Sequence, residues 1–131
     1  MRPREPELDR YVERDGVKVG YEVFGSRSPT ILLLPTWTIV HSRVWKLQVP
    51  YLAERHRVIT FDRPGNRRSD RPADPAAYTV DAVVDHALAI LGATGTDRAI
   101  VVSLSLGAQE ALKLAADHPD RVLGAILSGT R

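Results

Sequence analysis

The stretch SLSLG, residues 103–107, decides how this chain is interpreted. It follows a short apolar β-branched run and begins a segment whose apolar residues recur with helical spacing. A reactive serine on a sharp turn between a strand and a helix needs small residues two positions before and after it, because the backbone folds back there. Ser103 and Gly107 are the small residues around Ser105. The same requirement excludes Ser103 as the nucleophile, since Val101 would then occupy a cramped position.

Apolar runs and segments of helical spacing alternate along the rest of the chain. The unbroken apolar run at residues 31–34 is typical of a strand covered on both faces of a parallel sheet. Two further buried strands are predicted at residues 58–61 and 99–102, and a last strand at residues 122–127. The dipeptide Asp15-Gly16, between residues 11–14 and 17–24, predicts an antiparallel hairpin. The order of elements predicts the α/β class: a mostly parallel sheet with an N-terminal antiparallel hairpin and flanking helices.

Three helices are predicted from apolar residues on one face. The first has Val44, Leu47 and Tyr51 at helical spacing, with Pro50 as a kink or restart. The second is capped by Thr79 and buries a stripe formed by Val80, Val83, Val84, Ala87, Leu88 and Leu91. The third follows Ser105, stops before Pro119, and buries Ala108, Ala111, Leu112 and Ala115.

Composition restricts the classes of protein and of site. The chain has 131 residues, of which 44% are hydrophobic and 26% are charged. This length and composition predict one globular domain at residues 11–131, preceded by a disordered N-terminus at residues 1–10. The absence of cysteine excludes disulfides and thiolate metal sites. The sequence contains no signal peptide, membrane span, phosphate-cradling loop, zinc-type histidine pair or aromatic-basic stripe. We therefore expect a cytoplasmic protein without cofactor, metal, nucleic-acid or membrane partners.

From about Tyr11 to its end the chain resembles the N-terminal half of the α/β-hydrolase fold. Several motifs carry the resemblance and occur in the family's order. The turn at residues 15–16 comes first, followed by the strand at residues 31–34 with Pro35-Thr36-Trp37 after it, and then by Trp45 in the first helix. Next comes the loop with Asp62, Arg63, Gly65, Ser69 and Asp70, and the last motif is the elbow centred on Ser105.

The resemblance implies a serine hydrolase that acts on an ester or related carbonyl compound through an acyl-enzyme. Ser105 would be the nucleophile, and the backbone N–H groups of Trp37 and Leu106 would form the oxyanion hole. Thr36 and His41 would line the pocket for a small-molecule substrate. A serine at position 105 argues against relatives that use aspartate as the nucleophile, such as dehalogenases and epoxide hydrolases.

The chain departs from the family pattern in several places. Pro35-Thr36 stands where the family has His-Gly, Ser103 replaces the first elbow glycine, and Asn66-Arg67 stands where glycine is common. The family's acid and base are expected after residue 131, so the chain is predicted to be a catalytically incomplete fragment. Residues 122–127 would then form an exposed apolar edge, suited to self-association or to a second chain.

A second interpretation is a non-catalytic ligand-binding or regulatory module of the same fold. The altered oxyanion loop and the missing base favour it. A downstream carboxylate followed by a histidine would support the enzyme, whereas a signalling or cyclase-type domain would support the module.

Other polar residues have two interpretations each. Asp62 is interpreted as fixing the turn after its strand rather than as a catalytic carboxylate. The arginines at positions 63, 67, 68 and 71 form either a solvated, loop-bracing cluster or an anion site. His41 is a substitute base or an entrance residue, and His86 is predicted to be solvated on the polar side of its helix.

Overall fold

The computed structural model describes residues 5–35, 42–66, 69–105 and 107–128. Six strands are formed within these ranges: β1 (Leu8–Arg14), β2 (Val17–Phe24), β3 (Thr30–Leu33), β4 (Val58–Phe61), β5 (Ala99–Leu104) and β6 (Val122–Ser128). The α-helices are α1 (Gln48–Ala53), α2 (Val80–Ala93) and α3 (Gly107–Asp117). Short 3₁₀ turns lie at Ser42–Trp45, Pro75–Tyr78 and Pro119–Arg121.

The strands form one mixed sheet in the order β1-β2-β4-β3-β5-β6. The hairpin pair β1/β2 and the neighbouring pair β2/β4 are antiparallel. The pairs β3/β4, β3/β5 and β5/β6 are parallel. The predicted class, a mostly parallel sheet with an N-terminal antiparallel hairpin, is confirmed. Because β3, β4, β5 and β6 run in one direction, their carboxyl ends and the loops that follow them lie at the same edge of the sheet.

Helices cover both faces of the sheet. One face packs against α2 and α3, with a core that includes Leu32, Ile59, Phe61, Ile90 and Leu114. The opposite face packs against α1 and the turn before it, with a core that includes Phe24, Ile31, Leu33, Trp45 and Val49. Adjacent residues of β3 therefore belong to different cores, as the alternation of side chains along a strand requires. In the described part of the chain, no helix is both long and apolar enough to cross a membrane.

The hairpin begins earlier than the sequence predicted. Leu8 pairs with Val23 and β1 continues from there to Arg14, so the prediction of a disordered terminus over residues 1–10 is wrong for residues 8–10. The reason is that β2 extends to Phe24 and offers backbone partners to these polar residues. Pairing with a neighbouring strand, rather than hydrophobicity, orders this part of the chain.

The buried face of α1 differs from the predicted one. Val44, Leu47 and Tyr51 are exposed, whereas Trp45, Val49 and Ala53 are buried. A 3₁₀ turn ends at Trp45 and α1 begins only at Gln48, so the two short segments do not share one continuous 3.6-residue period. Trp45 accordingly lies in the turn before the helix and not in the helix itself.

The buried face of α3 is also rotated from the prediction. Leu112 is exposed and Leu114 is fully buried together with Ala108 and Ala111. The first residue of the helix, Gly107, lies so near the carbonyl oxygen of Pro35 that a Cβ atom would not fit, so the start of α3 packs tightly against the segment after β3. Leu112 and Leu114 are the same size, and the packing of α3 against the sheet decides which of them is buried.

The last strand, β6, lies at the edge of the sheet and is largely exposed. Leu123 and Ile126 are 53% and 58% exposed. An exposed apolar edge strand pairs readily with another strand. We expect the chain of residues 1–131 to self-associate in analytical ultracentrifugation, and Ile126→Lys to shift it towards monomer because a charged side chain on an edge strand opposes pairing with another strand. Tyr51→Lys, which places the same charge at an exposed position in α1, is the control. Equal self-association of all three proteins would contradict this expectation.

Candidate active site

Ser105 lies at a sharp backbone bend between β5 and α3. Its φ is 58°, in the left-handed region that residues other than glycine rarely adopt. The amide of Ser105 donates to the carbonyl of Ser128 at 2.8 Å, and its own carbonyl accepts from the amide of Ala108 at 3.1 Å. The serine is exposed at the carboxyl edge of the sheet. The bend lies where the SLSLG pattern predicted it, and it costs on the order of 1–3 kcal/mol of backbone strain.

The small residues on either side of the bend are in confined positions. A Cβ atom at Gly107 would lie 2.5 Å from the carbonyl oxygen of Pro35, which is closer than real contacts allow. Ser103 is buried, and its hydroxyl donates to the carbonyl of Ile126 at 3.3 Å. The backbone of an adjacent strand or loop lies against Ser103 and Gly107, and this explains why both residues are small.

Pro35 follows β3 and comes close to the bend at Ser105. The amide of Leu34 donates to the carbonyl of Val102 in β5 at 3.0 Å, and the indole of Trp45 donates to the carbonyl of Leu34 at 3.2 Å. These contacts place the start of the predicted oxyanion loop beside the end of β5. The predicted site residues Thr36, Trp37, His41 and Leu106 lie outside the described residues.

Two consecutive residues after β4 hold the two ends of this loop. The Oδ1 atom of Asp62 accepts from the amide of Ser42 at 2.6 Å. The Nη2 atom of Arg63 donates to the carbonyl of Pro35 at 3.0 Å. Asp62 therefore accepts from a loop N–H, as predicted for its carboxylate, and this N–H belongs to the segment after β3. In the turn after β4, the Ser69 hydroxyl donates to the carbonyl of Asp62 at 2.9 Å.

Arg63 also forms an ion pair with Glu110 on α3. Their side chains are 6% and 1% exposed, so the interpretation of Arg63 as part of a solvated cluster is wrong. Arg71 is exposed, and Arg67 and Arg68 lie outside the described residues. The sequence analysis missed Glu110, although its position was informative. It lies within the buried helical spacing of Gly107, Ala111 and Leu114, where a charged residue requires a partner.

None of the three described histidines is placed to accept a proton from Ser105. His86 is buried rather than solvated, and its Nδ1 and Nε2 atoms lie 2.9 and 3.2 Å from the carbonyls of Ala82 and Val17. His56 comes just before β4, and its Nδ1 atom lies 3.0 Å from the carbonyl of Pro29. His118 comes just before the turn that leads into β6. Both therefore lie at the amino edge of the parallel strands, opposite the bend.

Comparisons with known proteins agree with this architecture. Residues 29–131 match the family described as alpha/beta hydrolase fold. The 2-hydroxymuconate semialdehyde hydrolase of Pseudomonas sp. strain CF600 is 36% identical over 126 residues, which are 95% of this chain and 44% of that protein. The putative carbamate hydrolase RutD of Caulobacter segnis is 34% identical over 104 residues, which are 78% of this chain and 39% of that protein.

A solved structure also resembles this chain in its fold. The structure of Est816, described as an N-acyl homoserine lactone degrading enzyme, superposes with a TM-score of 0.82 at 36% identity. The superposition covers 92% of this chain and 46% of that one. This chain thus spans less than half the length of each of these relatives. The family match and the sheet order together establish that the chain belongs to the α/β hydrolase fold family.

Proposed function

We propose that this chain carries the nucleophile and the oxyanion hole of a hydrolase that acts on esters or related carbonyl compounds. The observation that carries the proposal is the left-handed bend at Ser105, where an exposed serine hydroxyl follows a buried strand and precedes a helix. A strained backbone at a residue other than glycine persists only where the surrounding structure enforces it, and such residues cluster at functional sites.

In the proposed reaction, the Oγ atom of Ser105 attacks the carbonyl carbon of the substrate and transfers its proton to a base. The new C–O bond leaves a negative charge on the carbonyl oxygen, and the backbone N–H groups of Trp37 and Leu106 stabilise this charge. The leaving group departs with a proton, and water then hydrolyses the acyl-serine. The helix α3 begins at Gly107, and the dipole at its N-terminus would add partial positive charge beside the proposed oxyanion hole.

The relatives support a carbonyl substrate without identifying it. Their names include a carbamate hydrolase and an enzyme that degrades a lactone, which is a cyclic ester. A carbamate and a lactone both present a carbonyl carbon bonded to a leaving heteroatom, as the proposed attack by Ser105 requires. We therefore propose that the substrate of this protein belongs to the same broad class, that of carbonyl compounds with a leaving heteroatom.

Covalent labelling tests the proposal directly. We expect a fluorophosphonate probe to label the full-length gene product that contains residues 1–131, with one modified residue, Ser105, identified by peptide mass spectrometry. Ser105→Ala should remove the label, because no hydroxyl remains, whereas Ser128→Ala should retain it. Labelling of Ser105→Ala to the same extent as the unsubstituted protein would refute the proposal.

The alternative is a ligand-binding or regulatory module without catalysis. The positions of His56, His86 and His118 favour it, since none of them provides a base for Ser105. A protein that folds but reacts with no fluorophosphonate, and that hydrolyses none of a series of p-nitrophenyl esters, would support the module over the enzyme.

A further inference from the structure

We propose that Asp62 and Arg63 act as positioning residues that hold Ser42 and Pro35, the residues on either side of the oxyanion loop, and set the distance between Pro35 and α3. This inference rests on the proposed function, because it assigns a role to residues that do not contact the substrate. It concerns the loop of residues 36–41 only through its two described ends, Pro35 and Ser42.

The two contacts at the loop ends are complementary. Asp62 accepts a hydrogen bond from the amide that ends the loop, and Arg63 donates one to the carbonyl that begins it. Both Asp62 and Arg63 are buried, so water does not compete for either hydrogen bond. Since the two residues are adjacent in sequence, the geometry at the end of β4 fixes the separation between Pro35 and Ser42.

The ion pair with Glu110 extends this arrangement to the nucleophile. Glu110 lies on the first turn of α3, and the same helix begins two residues after Ser105. Arg63 therefore joins the Pro35 carbonyl to the helix whose N-terminus would provide one of the two oxyanion donors. The close contact between Gly107 and Pro35 leaves little space for the two segments to move independently.

Arg63 has two roles, since it neutralises a buried carboxylate and also donates to the carbonyl of Pro35. Among the described residues, neither carboxylate oxygen of Glu110 has a hydrogen-bond partner, so the ion pair with Arg63 is what compensates its charge. Replacing a whole buried ion pair by apolar residues is often neutral or stabilising, whereas removal of one partner is strongly destabilising. A double substitution therefore separates the two roles, because it restores compatibility with the core and still removes the donor to Pro35.

The test uses Arg63→Met, Glu110→Met and the double variant Arg63→Met/Glu110→Met in the full-length gene product. We expect the double variant to melt close to the unsubstituted protein, while its kcat for p-nitrophenyl butyrate falls about 10- to 100-fold with KM changed less than twofold. A lower kcat with little change in KM is expected because the oxyanion loop would stabilise the transition state and not the bound substrate. Arg63→Lys in the same assay should have a kcat higher than that of Arg63→Met. Arg71→Met removes an exposed arginine from the segment that follows β4 and should leave both kcat and KM unchanged.

Hydrogen–deuterium exchange gives a second readout that does not depend on activity. We expect the amide of Ser42, which donates to Asp62, to exchange at least tenfold faster in the double variant and in Asp62→Ala, but not in Arg71→Met. Unchanged exchange of the Ser42 amide would overturn the positioning role. So would a kcat within twofold of the unsubstituted value in the double variant, provided that Ser105→Ala is inactive. Activity that persists in Ser105→Ala would instead overturn the proposed nucleophile, and the exchange data would still judge the role of Asp62 and Arg63.

Discussion

Ser105→Gly is expected to abolish fluorophosphonate labelling while it increases the free energy of unfolding by about 0.5–1 kcal/mol. The first effect follows from loss of the hydroxyl. The second follows from the φ of 58° at this residue, since glycine adopts the left-handed region without the steric cost that a Cβ atom brings. Activity and stability would then change in opposite directions at one position, as expected of a strained functional residue.

Two control variants make this prediction specific. Ser105→Ala removes the hydroxyl but keeps the Cβ atom, so it should lose labelling without gaining stability. Ser103→Gly changes the same residue type two positions earlier, in the extended strand β5, where glycine should lower stability. Urea denaturation followed by circular dichroism measures all three. If Ser105→Gly is destabilised as much as Ser103→Gly, the bend at Ser105 is not strained and the basis of the proposed function is lost.

Gly107→Ala is expected to lower the free energy of unfolding by about 2–3 kcal/mol. In a helix without other constraints, the same change stabilises by roughly 1 kcal/mol, because alanine is the better helix former. The opposite sign is expected here, because the new Cβ atom would lie 2.5 Å from the carbonyl oxygen of Pro35. Displacement of α3 from Pro35 should also slow labelling of Ser105 at least tenfold, since a small misplacement of the reacting groups has a large effect on rate.

Gly92→Ala is the matched control for this prediction. Gly92 lies in α2, and among the described residues no atom beyond its chain neighbours and its own helix backbone lies within 4 Å of the position that its Cβ would occupy. This variant should therefore show the ordinary gain in helix stability and no change in labelling. Thermal or urea denaturation of both glycine variants measures the difference. A stabilised Gly107→Ala protein with normal labelling would show that α3 does not need its close approach to Pro35.

Much of the fold was predictable from local sequence patterns. The hairpin at Asp15-Gly16, the apolar runs of β3 to β6 and the cap at Thr79 all appear in the structure, with shifts of a few residues at the ends. The bend at Ser105 belongs to the same group. Small residues two positions before and after it, following a β-branched run, reflect a steric requirement that acts within five residues of chain.

The errors share a different physical origin. The prediction for α3 placed Leu112 in the core, but α3 packs against the sheet so that Leu112 is exposed and Leu114 is buried. His86 was expected in solvent, yet the hairpin carbonyl of Val17 comes within 3.2 Å of its ring. In each case a distant segment of the chain decided the environment of the residue.

The amino-acid sequence by itself thus determined the order of strands and helices, the α/β class and the position of the bend at Ser105, because these depend on periodicity and on the steric needs of near neighbours. Only the tertiary structure decided that Asp62 bonds to Ser42, 20 residues away, and Arg63 to Pro35, 28 residues away. Such contacts depend on which strands become neighbours, and the sheet order brings β4 next to β3 through backbone pairing that local composition does not encode.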